Sequence, residues 1–343
     1  MRLVEGYSVV VPLYNSGPTI EELVARLGAV LAPLDDPYEI ILVDDGSEDG
    51  SARRARKIAE SVPHVRTIEF LRNYGQHNAT LCGIRAARYA YTITLDDDLQ
   101  NPPEEIPKLL AALENGSDVV YGCPIAQRHG LWRNLASWLT KFALATVMGA
   151  KVARKVSAYR AFRTSIREAF AEYRGPFVSI DVLLTWGTTR FDSVVVRHEP
   201  RAEGRSNYTL RKLVAHALNM MTGFSTTPLK VASYMGFIFT LFGLGVLTMV
   251  VGRYLIEGTQ VPGFPFLASI ISIFSGVQLF ALGVMGEYLA RMHYRMMDRP
   301  SYAVRPPEDS HTLGDSDAPE APGTGEDSHT SEGSAEHENP PAR

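Results

Sequence analysis

The sequence predicts an α/β protein: a doubly wound, mostly parallel sheet on the cytosolic side of a membrane, followed by two membrane-spanning helices. Three observations predict this. Short Val/Ile/Leu runs alternate with helical patterns up to about residue 205, two charge-free stretches of about twenty residues follow, and the chain ends in an acidic, Pro- and Gly-rich run. Apolar runs that alternate with helices read as strands buried on both faces of a parallel sheet. Right-handed crossovers then place ligands at the carboxyl ends of the strands.

The elements can be taken in order. Ser8-Val9-Val10-Val11 is a strand and a helix is expected over 18–32. Glu39-Ile40-Ile41-Leu42-Val43 is a second strand, with a helix from Ser51. Val65 to Phe70 is a third, with a helix over 77–89, and Thr92 to Leu95 a fourth. Val119-Val120-Tyr121-Gly122 reads as a further strand of the same sheet.

The membrane reading rests on Ala232–Val251 and Phe264–Met285, each uncharged and long enough to cross a hydrocarbon core as a helix. Lys230 precedes the first, and Arg291, Arg295 and Arg299 follow the second, so the positive-inside rule puts both outer ends in the cytoplasm. Glu287 falls at the interface. The N-terminal MRLVEGYSVVVPLYN has no apolar signal-peptide core, so the chain is expected to start in the cytosol. Leu131–Met148 and Leu210–Phe224 have broad apolar faces interspersed with Arg133, Lys141, Arg211 and Lys212. Each reads either as an interfacial amphipathic helix or as a helix packed on the sheet, the membrane reading being favoured for the second. The expected division is 1–205 catalytic, 206–229 a juxtamembrane amphipathic helix, 230–290 the two spans, 291–305 a cytosolic juxtamembrane segment and 306–343 a solvated acidic tail.

Charge and cysteine content narrow the function classes. A net charge of -4 gives no electrostatic reason to expect a nucleic-acid partner. From Glu308 onward ten acids face a single basic residue, Arg343, so the remainder of the chain is mildly basic. Cys82 and Cys123 have no metal-type spacing and read as two free thiols in a reducing compartment.

Two acidic stretches carry chemistry. Leu42-Val43-Asp44-Asp45-Gly46-Ser47 ends the second strand with two carboxylates and a tight-turn glycine, suited either to a structural turn or to a ribose or base N–H. ITLDDDLQNPPE, residues 93–104, runs an apolar strand into Asp96, Asp97 and Asp98. Alternation along an extended segment puts Asp96 and Asp98 on one side and Asp97 on the other. Mg2+ or Mn2+, taking one or two carboxylates plus phosphate oxygens, would relieve their repulsion and predicts a phosphorylated ligand.

Five motifs in order, VVVPLYN, ILVDDGS, LRNYGQHNATLCGIRAA, TLDDDLQNPPEEIPKLL and EGRSNYTLRKL, resemble the family 2 glycosyltransferases. With GEYLARMHYRMMDRPSY after the second span, the resemblance is to the branch that glycosylates a polyprenyl phosphate, and it covers residues 7 to 303. It implies a GT-A fold, Rossmann-like, a nucleotide-diphospho-sugar donor, a polyprenyl phosphate acceptor at the cytosolic face of the cell membrane, and inversion at the anomeric carbon. Carried over by motif, Pro12, Tyr14, Asp44 and Asp45 would hold the nucleoside, and Arg72 and Asn73 line the same crevice. Asp96 and Asp98 match the family's D-x-D, with Asp98 the main metal ligand, and Gln100 would either support the metal ligands or face the sugar. Arg201, Arg205 and Ser206 in RAEGRSNY would approach phosphates, where a guanidinium fork gives bidentate contacts.

The sequence departs from the pattern in two places. Ser16 follows Asn15 where relatives usually carry Glu, and Ala158-Tyr159-Arg160 stands where many carry Asp-Phe-Arg. Ala158 can do no proton chemistry, which leaves Asp181, Asp97 or Asp96 as candidate bases, while Asp97 is expected to face away from the sugar. A transferase acting on another lipid or on a polysaccharide, and a silent nucleotide-sugar-binding membrane scaffold, stay open. So does a homo-oligomer, although Gly243, Gly245, Gly283 and Gly286 lack a small-xxx-small spacing.

Overall fold

The sheet is built from apolar runs long enough to be buried on both faces, and the way they pair decides which residues meet at its carboxyl edge. The computed structural model describes residues 3–124, 155–175, 177–199, 222–257 and 263–306. Seven strands pair in the order β3-β2-β1-β4-β6-β5-β7: β1 (Val4–Leu13), β2 (Tyr38–Asp44), β3 (Val65–Glu69), β4 (Tyr89–Thr94), β5 (Val119–Pro124), β6 (Arg160–Arg163) and β7 (Phe191–Val196). All neighbours run parallel except β6, which lies antiparallel to both β4 and β5. Val9, Val10, Val11, Ile41, Leu42 and Ile93 are fully buried, as continuous β-branched runs in a central parallel sheet should be. The register aligns Leu13 with Asp44 and Asp44 with Glu69, so β1, β2 and β3 end side by side.

Helices α1 (Ile20–Leu31), α2 (Ser51–Ser61), α3 (Gln76–Ala86), α4 (Ile106–Glu114) and α5 (Ile180–Gly187) cover the sheet. The helical period is clearest in α1, where Ile20, Leu23, Val24, Leu27 and Leu31 form the buried stripe. Glu21 and Glu22 in its first turn favour the positive end of the helix dipole. Both cysteines are free.

Helices α6 (Thr227–Glu257) and α7 (Phe264–Met296) contain segments of 27 and 24 residues long and apolar enough to cross a membrane. Leu241, Leu255 and Leu279 stand 54%, 76% and 68% exposed, the reverse of a soluble core helix. The two helices meet where Phe239 sets its ring edge-on to Phe274, 6.1 Å away. Gly243 makes that approach possible, since a Cβ there would stand 2.7 Å from the Phe274 ring. Glu287 pairs with Arg291 at 2.6 Å near the end of α7. The segments 131–148 and 210–221 and the tail from 307 lie outside the described residues.

Beyond α7 the chain returns to the sheet. Leu71 donates its N–H to the Ala303 carbonyl (3.1 Å), Arg305 donates to that of Glu69 (2.7 Å), and Val304 bridges Phe70 in antiparallel sense. The Tyr302 ring stacks on Phe70 at 5.0 Å and 9°. Residues 302–305 therefore cover the free side of the edge strand β3, which would otherwise present unpaired backbone groups.

At the opposite edge Asp118 joins three strands. Its carboxylate accepts from Arg190 Nε (2.9 Å) and Thr188 Oγ1 (2.5 Å) and lies 3.5 Å from Arg163. Burial would raise this carboxyl, but the bonds from Arg190 and Thr188 outweigh it and hold it below the usual range. Its ionised form is thus favoured by folding, and that stabilisation is lost as pH falls through the depressed value. Asp118→Asn is expected to cost about 1 kcal/mol at pH 7, modest because the Arg190 side chain is 65% exposed. Unfolding of the full chain in detergent checks this, with the difference from wild type shrinking below about pH 4.

Candidate active site

Four strand ends and the loops after them enclose a cavity of about 250 Å³, lined by Pro12, Tyr14, Asp45, Asn73, Gly75, Gln76 and the three acids Asp96, Asp97 and Asp98. Each loop is fixed by bonds to its neighbours. After β1, Asn15 takes a left-handed conformation (φ 55°), its N–H donating to Ser47 Oγ (3.0 Å) and its side-chain carbonyl accepting from Glu48 N–H (3.1 Å). Pro12 is buried at the strand end and Tyr14 is half exposed over the cavity.

Asp44 and Asp45 occupy different positions despite being adjacent. Both oxygens of Asp45 accept backbone N–H groups, from Tyr74 (2.6 Å) and Gly75 (2.7 Å), which braces the loop after β3. Burial raises the Asp45 carboxyl despite those bonds. Asp44 is also buried; its Oδ2 accepts from Ser47 N–H (3.0 Å), while its Oδ1 has no hydrogen-bond partner among the described residues. That leaves Asp44 with a buried acceptor beside the crevice. Gly46 permits the braced loop to pass this close: its φ is +70°, and a Cβ would lie 2.5 Å from the backbone of Arg72. Arg72 itself lies over the Tyr74 ring at 4.6 Å, while Asn73 lines the cavity.

The three acids do not alternate. β4 ends at Thr94, so Asp96 to Asp98 stand in the turn beyond it, and Leu99 is left-handed (φ 58°). All three line one cavity, which corrects the expectation that Asp97 faces away. Asp97 receives the Ser16 hydroxyl and Asp96 receives the Gln76 side-chain amide. Asp98 Oδ1 accepts from Gln100 N–H (3.2 Å). Burial, then the negative charges of Asp98 and Asp97, push the Asp96 carboxyl up to about 6, with Arg160 and Gln76 only partly offsetting them. Burial likewise raises Asp97 against the bond from Ser16.

The chemistry of this donor set suits a hard divalent cation: three carboxylates line one cavity, and burial and like charge drive Asp96 and Asp97 toward neutrality where no cation offsets them. Among the described residues no group of three or more His, Cys, Asp and Glu side chains encloses a metal by itself. A cation held here by Asp96 and Asp98 would take its remaining ligands from water or from a bound phosphate, as Mg2+ commonly does.

Behind the acids, Thr94 Oγ1 donates to the Ala158 carbonyl (2.9 Å), so the Ala158 backbone is fastened to the end of β4. Arg160 is buried, its guanidinium ion-paired with Asp181, and Asp181 also accepts from the Tyr121 hydroxyl (3.2 Å). Asp181, expected as a candidate base, does not line the cavity of acids and is instead the counter-ion of Arg160. The carbonyl of Gln100 accepts the N–H of Glu199 (2.9 Å), tying the chain that precedes Arg201 to the acid loop. Arg201, Arg205 and Ser206 lie outside the described residues. The sequence marks Ser16 only as a departure from the family pattern and gives Gln76 and Arg160 no role, although all three fall in or beside the quoted motifs.

The carboxyl edge thus gathers the loops after β1, β2 and β3 and the Asp96–Asp98 turn around one cavity, with the inverted β6 placing Arg160 behind them. The sequence model for Glycosyl transferase family 2 matches residues 8–172. The undecaprenyl-phosphate 4-deoxy-4-formamido-L-arabinose transferase of Yersinia enterocolitica is 34% identical over 301 residues, covering 87% of this chain and 92% of that protein. The protein of the same description from Pseudomonas aeruginosa is 36% identical over 305 residues, covering 87% and 88%. The chain belongs to glycosyl transferase family 2. Among solved structures it is similar to Mycobacterium tuberculosis glucosyl-3-phosphoglycerate synthase in complex with Mn2+, UDP and phosphoglyceric acid, with a TM-score of 0.48, 21% identity and coverage of 64% and 76%.

Gly46→Ala tests the loop packing. Forcing a side chain against the Arg72 backbone at positive φ is expected to cost about 1–3 kcal/mol of stability and to raise the KM for donor several-fold. Thermal unfolding and donor titration of the purified full chain read the two effects.

Proposed function

We propose that the protein transfers a sugar from a nucleotide-diphospho-sugar to a polyprenyl phosphate of the undecaprenyl type, at the cytosolic face of the cell membrane, with inversion. The observation that carries this reading is the joining of the carboxylate cavity to two lipid-type helices in one chain. The names of the two relatives support undecaprenyl phosphate as acceptor and make 4-deoxy-4-formamido-L-arabinose the first sugar to try.

The contacts of the site residues support the following roles. Asp44 offers its buried oxygen to the nucleoside, Asp45 keeps the Asn73–Gly75 loop in place, and Tyr14 flanks the crevice. Asp96 and Asp98 would hold Mg2+ or Mn2+, which when bound neutralises the charge that builds on the departing diphosphate. Gln100 fixes Asp98 through its N–H, and Gln76 fixes Asp96. An oxygen of the lipid phosphate attacks the anomeric carbon on the face opposite the diphosphate. The new C–O bond forms as the bond to the β-phosphate oxygen breaks, with its electron pair leaving on the nucleoside diphosphate. Arg201, Arg205 and Ser206, which follow Glu199 in the chain, receive the lipid phosphate. A phosphate monoester carries about -1.5 to -2 charge at pH 7, so the acceptor needs alignment and not a base, which makes Ala158 compatible with turnover.

A second reading, a silent nucleotide-sugar-binding scaffold, is favoured only by Ala158 itself. Transfer of radiolabel from a panel of nucleotide sugars to undecaprenyl phosphate in isolated membranes separates the two. Product is expected, and no product with any donor would favour the scaffold. Asp98→Asn is expected to lower kcat by about 100-fold or more. Asp97→Ala, which removes a cavity-lining partner of Ser16, is expected to lower turnover by about tenfold. Full turnover by Asp98→Asn would overturn the assignment of the acids.

A further inference from the structure

A second cavity, of about 310 Å³, lies between the catalytic fold and the membrane helices and shares no lining residue with the cavity of acids. Two guanidinium groups from α7, Arg291 and Arg295, line it, and among the described residues no Asp or Glu side chain does. Arg291 is only 9% exposed, with its guanidinium 4.3 Å from the centre of the Phe177 ring. Its ion-pair partner Glu287 stands outside the lining and its side chain is 53% exposed. The cavity therefore presents two guanidinium groups with no carboxylate among its described lining residues. Its walls are aromatic: Tyr173 and Trp186 meet edge to face at 5.4 Å, and Tyr288 donates its hydroxyl to the Ser225 carbonyl just before α6.

Position along α7 identifies the ligand chemistry. Leu282, Met285 and Leu289 are 54%, 46% and 63% exposed, so the apolar, lipid-type surface of the helix runs up to the cavity. Tyr and Trp beside arginines at the end of such a surface mark the level of lipid headgroups. A guanidinium presents a planar fork that matches phosphate oxygens. We propose that this cavity binds the phosphate of an anionic bilayer phospholipid. The acceptor's own phosphate must touch the anomeric carbon when it reacts, and this cavity shares no residue with the cavity of acids. α5 carries Asp181, paired with Arg160 behind the acids, in its first turn and Trp186, at this cavity, in its last. A phosphate seated here is an anchor that sets the catalytic fold against the bilayer, and that role goes beyond the transfer reaction and does not depend on it.

Native mass spectrometry of the detergent-purified full chain, titrated with phosphatidylglycerol or phosphatidylcholine and with no donor present, tests the site. Wild type is expected to retain phosphatidylglycerol about five- to tenfold more tightly than phosphatidylcholine. Arg295→Gln, at an exposed residue that hydrogen-bonds Tyr173, and Arg291→Gln are expected to abolish that preference. Arg299→Gln, exposed and outside the lining, is expected to keep it. Equal thermal unfolding of Arg295→Gln and wild type separates loss of binding from loss of structure. Retention of the preference in Arg295→Gln would overturn the proposal. So would displacement of phosphatidylglycerol by equimolar undecaprenyl phosphate together with a raised acceptor KM in Arg295→Gln, because the cavity would then belong to the acceptor.

Discussion

Three carboxylates in succession at the end of a buried strand repel one another, and the organisation of the site answers that repulsion. Each acid is held by a different part of the chain: Asp96 by Gln76 from α3, Asp97 by Ser16 from the loop after β1, and Asp98 by the N–H of Gln100 in its own turn. Arg160 adds positive charge from behind, and Asp181 anchors Arg160. These contacts do not neutralise the cluster, since Asp96 and Asp97 remain raised. A site of this kind gains most from a ligand that brings positive charge with it, which is how a metal-bound diphosphate would meet it.

The sheet supplies the geometry for those contacts. Because β1, β2 and β4 are parallel neighbours, their carboxyl ends open on one edge, and the loops carrying Tyr14, Asp45 and Asp96 face a single cavity. Inversion at β6 brings Arg160 beside Thr94, directly behind the acids. The apolar helices meet this frame at the approach to α6, where Arg291 lies over Phe177, and residues 302–305 return to the edge of β3. This return reaches Leu71, two residues before the cavity-lining Asn73.

Much of this was legible in the sequence, for physical reasons that also explain the gaps. β1 and β2 are continuous Val, Ile and Leu runs, and α6 and α7 are long and apolar, so each was read from its own residues. β6 is four residues, Arg-Ala-Phe-Arg, with two charges, and neither alternation nor an apolar run marks it as a strand. Asp96, Asp97 and Asp98 do not alternate because extended backbone stops at Thr94, two residues before Asp96. The partner of Asp97 is 81 positions away, and Arg160 and Asp181 meet only when β6 and α5 have packed. Asp45 could be read as an acid at a strand end, but its bond to the Gly75 N–H depends on a loop 30 residues on.

Binding of Mn2+ tests the account most directly, because it asks whether the acid cluster recruits the charge it lacks. Free Mn2+ can be followed by electron paramagnetic resonance as the full chain is titrated with a nucleoside diphosphate present. Wild type is predicted to bind one Mn2+ per chain at this cluster, and Asp98→Asn to bind it at least about tenfold more weakly. Mn2+ affinity unchanged in a double Asp96→Asn, Asp98→Asn variant that remains folded would contradict the account.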